Sequence, residues 1–294
     1  MMKENQIRKP DWLKVKFPAG ANYTRIDRYH RLHGLNSVCR SAACPNQGEC
    51  WSQGTATFMI LGTVCSRHCR FCNVASGHLA PPDPEEPFKV AKAIYELELN
   101  HAVITTVTRD DLADGGACQF VDLIREIRKL TSECRIELLI SDLQGNWAAL
   151  ASILAEKPDI LGHNVETVPR LYAQVRPEAE YQRSLSLLAE VHRQNSEIIT
   201  KSGLMLGMGE TEEEVLQVMA DLREHNCQLL TLGQYLAPTR NHFPVQCYVP
   251  PQEFSDYAEK GLALGFDHVE AGPLVRSSYH AEEQYDSSKR GSHG

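Results

Sequence analysis

Hydrophobic and polar positions follow two alternating rhythms along this chain. Residues 57–64 form an apolar, β-branched run, Thr57-Phe58-Met59-Ile60-Leu61-Gly62-Thr63-Val64, with the composition of a buried strand. In 86–99 the period changes: Phe88, Val90, Ala91, Ile94, Tyr95 and Leu97 recur at roughly helical spacing, with Pro87 near the start, where a missing N–H is tolerated. The cycle then repeats. A β-rich run at 101–107 precedes a helix whose apolar face is Ala117, Phe120, Val121, Ile124 and Ile127. Strand-like 136–140 is followed by helical 147–156, strand-like 160–165 by a helical region from 169 to about 194, and strand-like 198–206 by a helix at 211–226. Thr211 and Glu214 form a capping-box pair where that helix opens. A sixth strand at 229–236 and a sixth helix at 251–264, ending near Gly265, complete the series.

Six βα units in a row predict a parallel sheet. Six falls short of the eight of a closed barrel, so the expected fold class is α/β, a partial (β/α)6 TIM-like barrel. Residues 1–36 show no sustained period and are punctuated by Pro10 and Pro18; they predict an irregular arm draped over the body, with a short helix near 24–33. From about Glu282 the chain turns polar and reads as a frayed tail. The expected organisation is therefore an N-terminal extension at 1–54, a barrel at 55–266 and a C-terminal extension at 267–294.

Composition narrows the class. With 23% charged and 42% hydrophobic residues, the 294-residue chain has the make-up of a soluble globular protein. No apolar run approaches a membrane span, and the N-terminus lacks the apolar core of a signal peptide. The expected location is the reducing cytoplasm, where ten cysteines are metal ligands and buried thiols rather than disulfides. The net charge of −8 is uneven: residues 1–40 carry nine Lys/Arg against three acids, giving +6, so 41–294 carry −14. An acidic body excludes nucleic acid as the main partner. The basic arm either docks an acidic protein or is simply solvated.

The chemistry enters with the cysteines. Cys65-Ser66-Arg67-His68-Cys69-Arg70-Phe71-Cys72 places three thiols within eight residues, on the loop leaving the C-terminal end of the first strand. That end is the active face of an α/β barrel. Three thiolates with no fourth nearby hold a four-iron cluster while leaving one iron open to a ligand. Zinc prefers four ligands in paired Cys-x2-Cys arrangements, and disulfides need an oxidising compartment. A second set, Cys39-x4-Cys44-x5-Cys50, lies in a loop-forming stretch with Pro45, Gly48 and Gly54. A single pooled network of six cysteines leaves the unequal spacings unexplained; two separate clusters account for them.

The Cys65/Cys69/Cys72 spacing resembles the signature of the radical S-adenosylmethionine (SAM) enzymes. Together with the Cys39/Cys44/Cys50 set and the string Arg276-Ser277-Ser278-Tyr279, it makes the chain similar to the lipoyl synthase family from about Arg8 to about Tyr279. The resemblance implies a SAM-binding 4Fe-4S cluster on Cys65, Cys69 and Cys72, and an auxiliary 4Fe-4S cluster on Cys39, Cys44, Cys50 and a serine. Adjacent side chains of an extended segment face opposite ways, so one serine reaches the iron; the resemblance selects Ser278, with Ser277 as the fallback. It also implies that Gly115 and Gly116, after the second strand, hold the methionyl amine of SAM, although a plain strand-to-helix turn accounts for the pair equally. Ala113 stands where the family has proline. Asn164 and Glu166, two apart beyond the fourth strand, point the same way if extended and are implied SAM contacts. Arg176 has the fork that pairs a carboxylate, or is a solvated surface arginine. The string Gly207-Met208-Gly209-Glu210 offers room for adenine or ribose, and His242 is either a hydrogen-bonding core residue or a substrate contact. Cys118, Cys134, Cys227 and Cys247 read as small hydrophobes or bystander thiols.

The implied activity is that of a sulfurtransferase inserting two sulfur atoms at the sixth and eighth carbons of a protein-bound octanoyl-lysine. Its implied cofactors are two 4Fe-4S clusters and SAM, with sulfur taken from the auxiliary cluster. The implied partners are octanoylated carriers (lipoyl domains of 2-oxoacid dehydrogenase complexes and the glycine cleavage H protein), a low-potential flavodoxin- or ferredoxin-type electron donor and an iron–sulfur carrier. Neither nucleic acid nor membrane is expected. Three rivals explain less: a biotin synthase-like enzyme lacks the second cysteine set and the serine string, a non-catalytic iron–sulfur carrier has no use for a six-unit barrel, and a zinc hydrolase would carry a His-Glu-x-x-His helix.

Overall fold

The computed structural model describes residues 8–15, 20–42, 44–52 and 56–291, with side chains through Ser287; the first residues of the arm, Pro18, Gly54 and the 54/55 boundary lie outside the described residues. The chain enters through helix α1 (Ala21–Leu32), where a short helix was expected, and two short helices, α2 (Val38–Ser41) and α3 (Gln47–Ser52). Ile26 and His30 fix α1 to the body, His30 stacking between Trp51 and Phe58 at 5.2 Å from each ring.

Strand β1 (Thr57–Ile60) begins the barrel, fully buried on both faces as its apolar run requires. It leads through a long loop to α4 (Glu86–Glu96), and then strands and helices alternate: β2 (His101–Thr106), α5 (Ala117–Leu130), β3 (Arg135–Leu139), α6 (Trp147–Ala155) and β4 (Ile160–Gly162). Every strand pairs in parallel with the next, so Ile104 of β2 sits opposite Phe58 on one side and Leu138 on the other. Helix α5 buries Phe120, Leu123, Ile124 and Ile127 against the sheet, each such side chain contributing about 2 kcal/mol through removal from water.

The helical region expected from 169 to 194 is broken. A turn and α7 (Tyr172–Val175) end at Arg176, and α8 (Tyr181–Gln194) starts afresh. Pro177 is the cause, because the residue before a proline is driven out of the α region, and Arg176 sits at φ −135°, ψ 64°. Strand β5 (Ile199–Leu206), α9 (Glu212–Glu224), β6 (Leu229–Gln234) and α10 (Pro251–Ala263) follow. The capping box on α9 forms as expected, Thr211 and Glu214 each satisfying the other's backbone N–H.

Two features exceed the sequence expectation. A seventh strand, β7 (His268–Gly272), pairs in parallel with β6, so the sheet runs in order from β1 to β7 and continues past residue 266. The expected polar tail instead forms α11 (Ala281–Gly291), which lies against the strands' N-terminal ends. Tyr285 there packs on Ile160, Ile199 and Leu229, the first residues of three strands, and its ring lies 4.7 Å from the Arg135 guanidinium. Inside that end, Glu137 bonds Lys201 at 2.7 Å and His101 at 3.1 Å, all three buried. Among the described residues no helix is long and apolar enough to cross a membrane.

Candidate active site

The opposite, C-terminal ends of the strands surround a cavity of about 960 Å³. The Cys65–Cys72 loop forms one side, and strand ends clamp it from several directions. Ser66 N–H donates to Thr108 O at 2.9 Å, and Arg70 N–H to Val175 O at 2.8 Å. The Arg67 side chain, buried beneath the loop, grips Asp110 with Nε at 2.6 Å and Nη2 at 3.0 Å and reaches Asp142 at 2.5 Å. Beside that guanidinium Asp142, although buried, is held down to about 2. Cys65 Sγ accepts the N–H groups of Arg67 (3.4 Å) and Thr108 (3.3 Å), and Cys72 Sγ that of Val74 (3.5 Å). His242 Nε2 meets Cys72 O at 3.0 Å, and its Nδ1 meets Thr239 Oγ1, so it supports the loop from within the cavity wall.

The second thiol set borders the same cavity. Cys39 and Cys44 line it, whereas Cys50 does not, although it lies within electrostatic reach of Cys44. Asn46 donates to Leu274 O at 2.5 Å and Tyr279 to Glu49 at 3.3 Å, joining this set to the segment after β7. That segment is a turn, closed by Tyr279 N–H on Arg276 O, and both Ser277 and Ser278 line the cavity. Extended-strand alternation therefore does not separate the two hydroxyls. The turn comes this close because residue 233 is glycine: a Cβ there would stand 2.1 Å from Val275 O.

Asn164, Glu166 and Arg176 line the same space. The first two do meet, Asn164 Nδ2 to Glu166 Oε1 at 3.0 Å, but extended alternation is not the reason. Glu166 lies at φ 65°, an αL position uncommon for a side-chain-bearing residue, held by a parallel bridge to Leu204. Burial pushes its carboxyl up, against Arg176 and Asn164. Gly203 opens room for Asn164, whose Oδ1 would lie 2.9 Å from a Cβ there. Arg176 is only 7% exposed, which removes the solvated-surface reading. Its Nη1 donates to Asn164 O and Val165 O, and among the described residues its buried Nε has no acceptor.

Gly115 and Gly116 do not line the cavity. Their backbones are left-handed, at φ 63° and 90°, and a Cβ would meet Leu143 at 2.9 Å or Leu61 at 2.3 Å. They shape the turn into α5 and seat two leucines; Thr105–Thr108, not the glycine pair, forms the cavity wall at the C-terminal end of β2.

The donor chemistry fits iron–sulfur clusters. All ten thiols are free. Burial pushes Cys72 and Cys50 up to about 12 and raises Cys69 against the pull of Arg176. Cys39 is raised well above the ordinary thiol range by the bond it gives Cys44, and that bond, helped by the Asn46 and Gln47 N–H groups and Arg276, holds Cys44 down to about 6. Among the described residues no three His, Cys, Asp or Glu side chains converge on a point that would hold one ion. Cys39, Cys44, Cys65, Cys69 and Cys72 line one cavity, with N–H groups aimed at the Cys65 and Cys72 sulfurs, a donor set that suits iron–sulfur clusters.

Arg67, Asp110, Asp142, Asn46, Gly233 and Arg276 escaped the sequence reading. Arg276 is the most informative: burial lowers its pKa, while Cys44 and Glu166, one from each side of the cavity, pull it back. Its place inside the Arg-Ser-Ser-Tyr string was the available signal.

The sequence pattern of the Radical SAM superfamily matches residues 59–222. The chain is 53% identical over 276 residues to the lipoyl synthase of Chlorobaculum parvum, covering 94% of each. It is 52% identical over 280 residues to that of Pasteurella multocida, covering 95% of this chain and 88% of that one. Among solved structures, the FeFe-hydrogenase maturase HydG from Carboxydothermus hydrogenoformans superposes with a TM-score of 0.59 at 14% identity, over 90% of this chain and 70% of that one. Methylornithine synthase gives 0.56 at 13%, over 81% and 73%. These two likenesses concern the fold alone.

Proposed function

The chain belongs to the lipoyl synthase family of radical SAM enzymes, and on that premise we propose that its two thiol sets and the turn at 276–279 are the two halves of one sulfur-insertion site. It is a sulfurtransferase that uses SAM and two 4Fe-4S clusters to insert two sulfur atoms at the sixth and eighth carbons of protein-bound octanoyl-lysine, the auxiliary cluster being the sulfur source. When bound, SAM and the cluster that activates it supply a radical able to take hydrogen from an unactivated carbon, which no side-chain acid or base can do.

In this reading Cys65, Cys69 and Cys72 hold the SAM-activating cluster, and the lack of a fourth protein ligand leaves a position for SAM. Cys39, Cys44, Cys50 and Ser278 hold the sulfur donor, with Ser277 the neighbouring alternative. An alkoxide is a harder ligand than thiolate and leaves when protonated, which suits a cluster that is consumed. Arg176, whose buried Nε has no acceptor among the described residues, binds the methionyl carboxylate. Asn164 and Glu166 take the polar atoms beside it. Met59, Val107 and Leu139 contribute apolar wall, which excludes water from the reacting carbon. The barrel, from β1 through β7, thus carries radical generation, and the segments before β1 and after β7 carry the sulfur supply. The finer partners follow from the same reading: lipoyl domains and the H protein as carriers, a flavodoxin- or ferredoxin-type donor, an iron–sulfur carrier for rebuilding, and the cytoplasm as the place of action.

The observation that carries this reading is the convergence of Cys39, Cys44, Cys65, Cys69, Cys72 and both serines on a single cavity. The test is anaerobic incubation with reductant, SAM and an octanoyl-lysine peptide, with iron and sulfide analysis alongside. The expected result is two 4Fe-4S clusters per chain and 5′-deoxyadenosine formed together with thiolated peptide. Stoichiometric zinc in a colourless protein would overturn it. Ser278→Ala is expected to disturb the auxiliary cluster; if only Ser277→Ala does so, the ligand is Ser277.

A further inference from the structure

Cys65 differs from the other thiols of its loop. Its sulfur accepts two backbone N–H groups, from Arg67 and Thr108, whereas Cys72 accepts one. The two donors on Cys65 belong to different segments, the cysteine loop and the chain leaving β2. Those segments are joined a short way off by the Arg67 side chain, whose fork takes both oxygens of Asp110, two residues beyond Thr108. Asp110 N–H in turn donates to Ser66 Oγ at 3.1 Å, and Ser66 N–H to Thr108 O at 2.9 Å. Asp142, fully buried at the end of β3, takes the remaining reach of Arg67. The ion pair and the two N–H···S bonds therefore form one closed ring around the Cys65 sulfur: the Arg67 N–H contact lies within the cysteine loop, and the Thr108 contact spans the two segments that the ion pair holds together.

We infer that Arg67 is a positioning residue for the SAM-activating cluster: through Asp110 and Asp142 it fixes the two N–H donors on Cys65 and so sets that cluster's reduction potential. Hydrogen bonds to ligand sulfur stabilise the more negative, reduced state and raise the potential. A lysine cannot substitute fully, since it is a point charge without the planar fork that holds Asp110 in two places. The inference rests on the assignment of Cys65, Cys69 and Cys72 as cluster ligands.

The test uses Arg67→Lys, Arg67→Gln and Asp110→Asn in the full chain. In the cluster-free protein, exchange of the Arg67 and Thr108 amide hydrogens is expected to speed up by about tenfold or more in Arg67→Gln, with Arg67→Lys between it and wild type. In the anaerobically loaded protein, the midpoint potential of the SAM-activating cluster is expected to fall in the same order, with altered electron paramagnetic resonance of its reduced state. The KM for SAM should change less than kcat for its cleavage. Unchanged amide exchange together with an unchanged potential overturns the inference. If Arg67→Gln does not fold, Asp110→Asn, which keeps the buried cation on Asp142, carries the same two measurements. Absence of any cluster on the 65/69/72 set in wild type would instead defeat the ligand assignment, which the amide-exchange arm does not depend on.

Discussion

Asn46 and Leu274 are 228 residues apart in sequence, yet the Asn46 side chain donates to the Leu274 carbonyl at 2.5 Å. This bond ties the segment bearing Cys44 and Cys50 to the turn bearing Ser277 and Ser278, so the two ends of the chain meet at one cavity. Asn46→Ala leaves a partly buried carbonyl without that donor, at a cost of about 1 kcal/mol. The expected outcome is a folded protein whose iron content falls toward that of a single cluster while SAM is still cleaved. Iron analysis with 5′-deoxyadenosine assay checks it; retention of both clusters counts against the tether.

Gly233→Ala puts a methyl group 2.1 Å from the Val275 carbonyl oxygen, a separation no real contact reaches. Backbone must move, and such overpacking costs about 1–3 kcal/mol. What moves is the turn at 276–279, because β6 is locked between β5 and β7. Sulfur insertion is expected to fail more severely than radical generation. The ratio of thiolated peptide to 5′-deoxyadenosine, compared with wild type, reads this directly; a ratio unchanged by the substitution would show that the turn tolerates displacement.

The strands and caps were legible because they rest on local patterns: the apolar run of β1, the helical face of α5, Thr211 with Glu214. The cysteine sets were legible because spacing alone carries their chemistry. Strand β7 was missed because His268-Val269-Glu270-Ala271-Gly272 is short and half-buried, with no run to notice. Pro177 did announce the break that positions Arg176, but the surrounding apolar period masked it. Arg67 was invisible for another reason: its partners lie 43 and 75 residues away, and nothing local distinguishes a buried arginine from a solvated one. Among its described side chains, helix α11 turns Ala281, Gln284 and Tyr285 inward, too little period to stand out in a polar stretch.

His163 links β4 to its neighbours, Nδ1 meeting Ile140 O at 2.9 Å and Nε2 meeting Ser184 Oγ at 3.0 Å. Burial, reinforced by the nearby Arg176 charge, holds it down to about 4, so the fold keeps the ring neutral. A base with a lowered folded pKa contributes stability that is complete above its unfolded value, about 6.5, and lost as pH falls through about 4. The stake is about 3 kcal/mol. Denaturation of wild type and His163→Gln at several pH values in this window is expected to show the gap between them closing as acid is added. A gap independent of pH would mean that the ring charges without penalty.

Tyr285 and Arg135 make the corresponding test at the far end of the barrel. The ring of one lies 4.7 Å from the guanidinium of the other, and Asp286 pairs with the same arginine at 2.9 Å. A cation–π contact at a partly exposed site contributes about 0.5–1 kcal/mol, and the tyrosine's burial on Ile160, Ile199 and Leu229 adds a comparable amount. Tyr285→Ala is therefore expected to cost about 1–2 kcal/mol, and Arg135→Ala less than the sum when combined with it, since they share one contact. Strand N-termini in such barrels serve stability rather than chemistry, so SAM cleavage by the folded variant at low temperature should match wild type. A double-mutant cycle by denaturation, with cleavage assayed alongside, separates the two effects; zero coupling between the pair, or lost cleavage in a fully folded Tyr285→Ala, would show that α11 does something other than close the barrel floor.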